Sequence, residues 1–323
     1  MDYFKNILGN AVAKRQLNHD ILTKSCAHAY LFIGQSGIGK FTMAMELAKA
    51  LLPRMKDLEN PENHPDLHVI NTDSSSIKKK EVEELIEETT KTAFQEETQV
   101  FMVKDFEKVT REGQNALLKT IEEPKKGIYI LLTSSAPEMV LPTIRSRCRV
   151  VNIFPLAEKE VADYLQGLDK KLTKNEVELY ARISAGNLQE AITFIEHPEY
   201  LLLRKRALEE LIKLCTSKYS NPFETFNFFE KNKEDFSFIA KQYKLWFQDL
   251  MNFPIGGKIV HRDFFQKNII LPNLKGEVLY DLWDVVDKTE QNLKNNGNFQ
   301  LQVENMLLHI QEEYHDTSGG GSF

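Results

Sequence analysis

Residues Gly34-Gln35-Ser36-Gly37-Ile38-Gly39-Lys40 set three glycines and a lysine between an apolar run, Tyr30-Leu31-Phe32-Ile33, and a helical pattern beginning at Met43. In a strand–turn–helix frame such a loop cradles phosphates on its backbone N–H groups, and the lysine reaches the outer ones. The candidate phosphate-binding residues are Gly34, Gly37, Gly39, Lys40 and Thr42. The position after the lysine supplies the hydroxyl that binds Mg²⁺, and Phe41 stands there. Thr42 comes one residue too late, because one residue turns a helix by about 100°. A tight turn that holds no ligand is the plainer alternative for a loop of this kind.

Nucleotide hydrolysis also needs a hydrophobic strand ending in carboxylates, the first for the metal and the second to polarise water. Val100-Phe101-Met102-Val103 is such a strand, but it ends in Lys104-Asp105. A cation at the metal-ligand place repels a metal ion, and a lysine turned to solvent still leaves the metal without its carboxylate. Both departures fall on one ion. The loop is therefore expected to bind ATP or phosphate weakly or not at all, without hydrolysis, and no metal is expected.

Around these residues, 1–155 alternate β-rich runs with helical periodicity, as in an α/β domain with a parallel sheet. Strands are expected at Tyr30–Ile33, Leu67–Asn71, Val100–Val103, Tyr129–Leu132 and Val150–Phe154. Most are continuous apolar runs, which suits strands covered on both faces. After Pro155, residues 156–202 read as a small helical unit starting at Glu158. From 203 to 314 long amphipathic helices take over. Leu208, Leu211, Ile212 and Cys215 form one stripe, and Phe236, Ile239, Ala240, Tyr243, Trp246, Phe247 and Leu250 another. Val303, Met306, Leu307 and Ile310 mark a last helix, and 315–323 read as a flexible tail. The aromatic stripe has no interleaved basic residues, so core or subunit interface is favoured over base stacking. Lys78-Lys79-Lys80 before Glu81, Glu83 and Glu84 reads as a solvated helix start.

The chain of 323 residues has 42% hydrophobic and 27% charged content, which suits an ordinary soluble protein of two or three domains. No apolar run approaches membrane-spanning length and no charged-then-apolar leader opens the chain, so a cytoplasmic location is expected. Cys26, Cys148 and Cys215 show no C-x-x-C pairing, against a disulfide framework or a zinc site. A net charge of −6 argues against autonomous tight binding to nucleic acid.

Further motifs carry a family resemblance. Phe4–Asn10, His28-Ala29-Tyr30-Leu31-Phe32, His64-Pro65-Asp66, Asn115–Pro124, Thr143-Ile144-Arg145-Ser146-Arg147-Cys148 and Asn296–Leu301 together resemble the clamp-loader branch of the AAA+ ATPases. The likeness covers most of the first 195 residues well and the helical third more loosely. It implies a P-loop α/β domain with a five-stranded parallel sheet and helices on both faces, a small helical lid and an all-α collar. It implies membership of a hetero-pentameric ring within the replicative DNA polymerase III holoenzyme. The partners it implies are gamma/tau ATPase subunits, a delta subunit, the sliding clamp and, through the complex, primed DNA. No membrane partner is implied. Arg147, in Ser146-Arg147-Cys148, maps onto the family's arginine finger, which acts in trans on a neighbour's ATP. The plain alternative for Arg147 is a salt bridge to Glu122 or Glu123, and Arg145 is a nearby decoy.

The chain departs from the family in further ways. The four-cysteine zinc module expected between loop and second strand has no cysteine in Leu51–Leu67, so no zinc is expected. The lid's nucleotide-sensing arginine is replaced by Gln189, while Thr133 and Ser134 match the polar strand-end sensor. A structural subunit without intrinsic ATPase is the favoured expectation. The rival is an active AAA+ ATPase, either the loader's motor or a related remodeller, and a third course is static binding of ATP or phosphate.

Overall fold

The computed structural model describes residues 2–71, 74, 76–168, 172–216, 221–265, 274–294 and 296–318. The chain divides into two compact units, Met1–Ile192 and Thr193–Phe323.

In the first unit five strands, β1 (Ala29–Ile33), β2 (Leu67–Ile70), β3 (Gln99–Val103), β4 (Ile128–Ser134) and β5 (Arg149–Asn152), form one sheet in the order β2-β3-β4-β1-β5. All four pairings are parallel. Alternate side chains of each strand enter different cores. Tyr30, Phe32, Val100, Met102 and Leu131 join a cluster with helices α1 (Ala11–Leu22) and α2 (Lys40–Leu51). Leu31, Phe101, Val103, Ile130 and Leu132 join another with α3 (Lys79–Glu88), α4 (Arg111–Glu122) and α5 (Pro142–Arg145). Helices thus cover both faces, which is why these strands read as unbroken apolar runs.

The expected strands fall within two residues of the observed ones. The fifth stops at Asn152 rather than Phe154, because the Asn10 side chain takes over the backbone there. Phe154 N–H donates to Asn10 Oδ1 at 2.8 Å, and Asn10 Nδ2 donates to the Phe154 carbonyl at 3.1 Å. Helix α5, with Pro142 in its first turn, interrupts what reads in sequence as a plain lead-in to β5.

In place of the zinc module, two 3-10 turns, Pro53–Asp57 and Pro61–Asn63, link α2 to β2. Buried Asp66 accepts hydrogen bonds from the backbone N–H groups of Phe94, Gln95 and Glu96. Arg54 Nη1 donates to the Gln95 carbonyl. Helices α6 (Glu158–Leu168), α7 (Lys174–Ile183) and α8 (Leu188–Glu196) follow β5. Thr173 and Glu176 cap α7 reciprocally.

The described residues of the second unit contain no strand; its helices are α9 (Glu199–Thr216), α10 (Pro222–Lys231), α11 (Phe236–Asn252), α12 (Arg262–Phe265), α13 (Gly276–Lys294) and α14 (Phe299–Ser318). Its core takes Leu208, Leu211, Cys215, Ile239, Tyr243, Phe247, Val303, Leu307 and Ile310, so the expected stripes face inward. Phe236 and Trp246 are buried with them, as core rather than stacking platforms. Helix α14 runs to Ser318, past the expected end at 314, and Tyr314 is its last residue in the core. The rest of the expected tail, 319–323, lies outside the described residues.

Candidate functional site

The glycine-rich loop leaves the C-terminal end of β1 and enters α2, so its backbone N–H groups gather at the N-terminus of a 12-residue helix. Gly34 passes so close under β5 that a Cβ there would lie 2.4 Å from the Ile153 carbonyl oxygen. Gly37 has a left-handed φ of 77°, and a Cβ on it would meet the Asn187 amide at 2.7 Å. Asn187 Nδ2 donates to the Ser36 carbonyl at 2.9 Å, while its Oδ1 caps α8 by accepting from Glu190 N–H. The loop is therefore tied to the residue that caps α8, a tie the sequence signals only through an Asn placed three residues before Glu190. Gly39 directly precedes α2.

Lys40 is 6% exposed. Its Nζ donates to the Gln35 carbonyl at 2.7 Å and to Ser135 Oγ at 2.9 Å. Burial pushes the ammonium below its usual pKa, against the opposing charges of Glu107 and Asp105. Ser135 N–H in turn donates to Glu107 Oε1. The hydroxyl aimed at the lysine thus belongs to Ser135, not to the two residues that match the sensor pattern. Thr133 Oγ1 accepts from Asp105 N–H, and Ser134 Oγ accepts from Ala136 N–H. Ser135 and Glu107 went unread in the sequence because neither belongs to a spaced motif.

Phe41 and Lys104 meet. The Lys104 ammonium lies 5.8 Å from the centroid of the Phe41 ring, a cation–π contact. Phe41 packs its remaining surface against the core under α1 and α2. Thr42 is exposed on the outer side of α2. Asp105 follows Lys104 with a left-handed φ of 52°, and its carboxylate sits 3.4 Å from Lys108. Mg²⁺ demands an octahedron of oxygen ligands. The two residues at its customary ligand positions offer an aromatic ring and an ammonium, so the chain does not fit that ion. Among the described residues no cluster of three or more His, Cys, Asp or Glu side chains is arranged to hold a metal. Gln189, which the resemblance sets where a sensing arginine is expected, is exposed on the first turn of α8.

Arg147 stands apart from this cluster. It lies between α5 and the start of β5, whereas the loop follows the end of the parallel neighbour β1. Asn152 pairs with Ile33, so the 4-residue strand β5, roughly 13 Å of extended chain, separates Arg147 from the loop end of the sheet. Arg147 Nε is 2.7 Å from Glu122 Oε1, and Nη1 donates to the Thr143 carbonyl at 3.0 Å. Both partners keep about two-fifths of their side chains exposed. Arg145 is exposed as well.

A family model described as DNA polymerase III, delta subunit, matches residues 9–157. DNA polymerase III subunit delta' of Bacillus subtilis is 28% identical over 329 residues, 95% of this chain and 94% of the relative. Subunit tau of the same organism is 21% identical over 355 residues, 98% of this chain but 62% of the relative. Subunit gamma of Buchnera aphidicola subsp. Schizaphis graminum is 28% identical over 213 residues, 61% of this chain and 59% of the relative. No helix among the described residues is long and apolar enough to cross a membrane. The two-sided parallel sheet, the glycine-rich loop and these likenesses agree: the chain is similar to clamp-loader subunits of DNA polymerase III, and to delta' of Bacillus subtilis along nearly the whole length of both chains.

Proposed function

We propose that this chain is a non-hydrolysing clamp-loader subunit of the delta' kind. In this reading it holds one place in a hetero-pentameric ring with gamma/tau ATPase subunits and a delta subunit. It helps to place the sliding clamp on primed DNA, and it lends Arg147 to the ATP of a neighbour. Residues 1–155 act as the P-loop-like domain, 156–202 as the lid and 203–314 as the collar through which the subunits join.

The observation that carries the reading is the Lys104–Phe41 contact. Residues at both metal-ligand positions are replaced, and the replacements pack on one another rather than turning to solvent. A guanidinium delivered in trans needs no working site in its own subunit, and such a finger is worth about 10³–10⁵ in rate in GTPases. Arg147 suits that role by its place at the far end of β5 from its own loop. The bond to Glu122 is an exposed one, of the kind worth about 0–1 kcal/mol, so a stronger anion displaces it readily.

Two measurements test this. The purified chain shows no steady ATP turnover above that of its Lys40→Ala variant. In the ring reconstituted with gamma/tau and delta, Arg147→Ala leaves assembly intact and lowers clamp- and DNA-stimulated ATPase at least tenfold. Turnover by the isolated chain, or unchanged ATPase in a correctly assembled Arg147→Ala ring, defeats the reading.

A further inference from the structure

We propose that the phosphate loop holds a polyphosphate chain without any metal ion, with Lys104 supplying the positive charge that Mg²⁺ supplies elsewhere. This deepens the non-hydrolysing reading and rests on it. The loop keeps the parts that touch phosphate directly: the close-packed Gly34, the left-handed Gly37, buried Lys40 and a helix N-terminus of full length. What it has lost concerns the metal alone.

The loss is not neutral in charge. Lys104 brings an ammonium to the end of β3, beside the first turn of α2 that carries Phe41. The Phe41 ring gives that ammonium an electrostatic seat without neutralising it. Two carboxylates lie near enough to oppose the charge of Lys40, those of Glu107 and Asp105, and the second oxygen of Glu107 is buried without a hydrogen-bond partner. Asp105 faces Lys108, and one oxygen of Glu107 accepts from Ser135 N–H. Lys104 forms no ion pair within 4 Å among the described residues. A metal-free triphosphate carries about two more negative charges than its magnesium complex. Two ammonium groups therefore favour the free form, while Mg²⁺ meets an ammonium in place of a carboxylate.

Calorimetry on the full chain tests this with ATP and with inorganic tripolyphosphate, each in EDTA and in excess Mg²⁺. Both ligands are expected to bind in EDTA, and Mg²⁺ is expected to weaken each at least threefold. Lys104→Met lowers the metal-free affinity tenfold or more, with Lys104→Gln as the second variant should the first fail to fold. The pair Phe41→Thr with Lys104→Asp reverses the preference, so that ATP binds better with Mg²⁺. Binding that requires Mg²⁺ in the native chain overturns the proposal. So does no binding in EDTA, binding of ATP but not tripolyphosphate, or unchanged affinity in a folded Lys104 variant. Release of inorganic phosphate from ATP, measured separately, bears instead on the non-hydrolysing reading.

Discussion

A carboxylate with no access to water survives as an anion only where donors replace the solvent it lost, and Asp66 has three of them on one short segment of chain. Burial works against its charge, but the three backbone N–H groups outweigh burial and hold its pKa below the usual value. Asp66→Asn keeps the shape and removes the charge, turning one acceptor oxygen into an NH₂ that faces N–H groups. The expected cost is about 2–3 kcal/mol, read as a lower urea midpoint at unchanged slope. Because the folded pKa lies below the unfolded one, this stability is fully present above the unfolded value near 4. It is lost as pH falls through the folded value, and Asp66→Asn flattens that acid limb. Arg147 gives the opposite case. Its bridge to Glu122 is exposed, so Arg147→Ala should move the melting midpoint by no more than about 1 kcal/mol equivalent. The replacements at the metal site were legible in the sequence as positions, since the motif fixes where a hydroxyl and a carboxylate belong. Their contact was not, because nothing in the spacing of Phe41 and Lys104, 63 positions apart by subtraction of their numbers, says that ring and ammonium meet.

Secondary-structure elements were easiest to read where burial is two-sided. β1, β3 and β4 are built on apolar runs because helices cover both faces of the sheet, and their ends were read to within two residues. The fifth strand was overread, because Phe154 looks like a continuation and the Asn10 amide that ends the ladder comes from 144 residues away. The helical stripes were legible for the same physical reason as the strands: each core-facing set recurs at the period of its element. Polar ties between elements were not legible. Arg204 on α9 makes a two-pronged pair with Asp263 on α12, at 2.8 and 2.9 Å, and stacks on Phe264. Arg204 has only 4% of its side chain exposed, whereas Asp263 keeps 34%. Breaking a fully buried pair costs about 3–5 kcal/mol, and the partial exposure of Asp263 brings the expected cost of Arg204→Ala to about 2–3 kcal/mol. Chemical denaturation followed by helical circular dichroism checks it. Arg204→Lys should recover only part of the loss, since an ammonium cannot make both bonds in the plane of the carboxylate.

At the scale of the whole molecule, the cores are segregated along the chain. The two clusters that flank the sheet draw on residues 4–153, and the large helical cluster draws on residues 207–314. A region of about 130 residues is long enough to bury most of its apolar surface by itself. A fragment from Leu188 to Ser318 keeps α8 whole, together with the Phe194–Phe238 and Tyr200–Phe238 ring contacts that join α8 and α9 to α11. It is expected to fold alone as a helical, monophasically melting body. Arg204→Ala should then lower the fragment's stability by the same amount as in the full chain, because both ends of the pair lie within it. A fragment that stays unfolded, or a mutational cost that appears only in the full chain, would mean that the helical unit draws its stability from residues before 188.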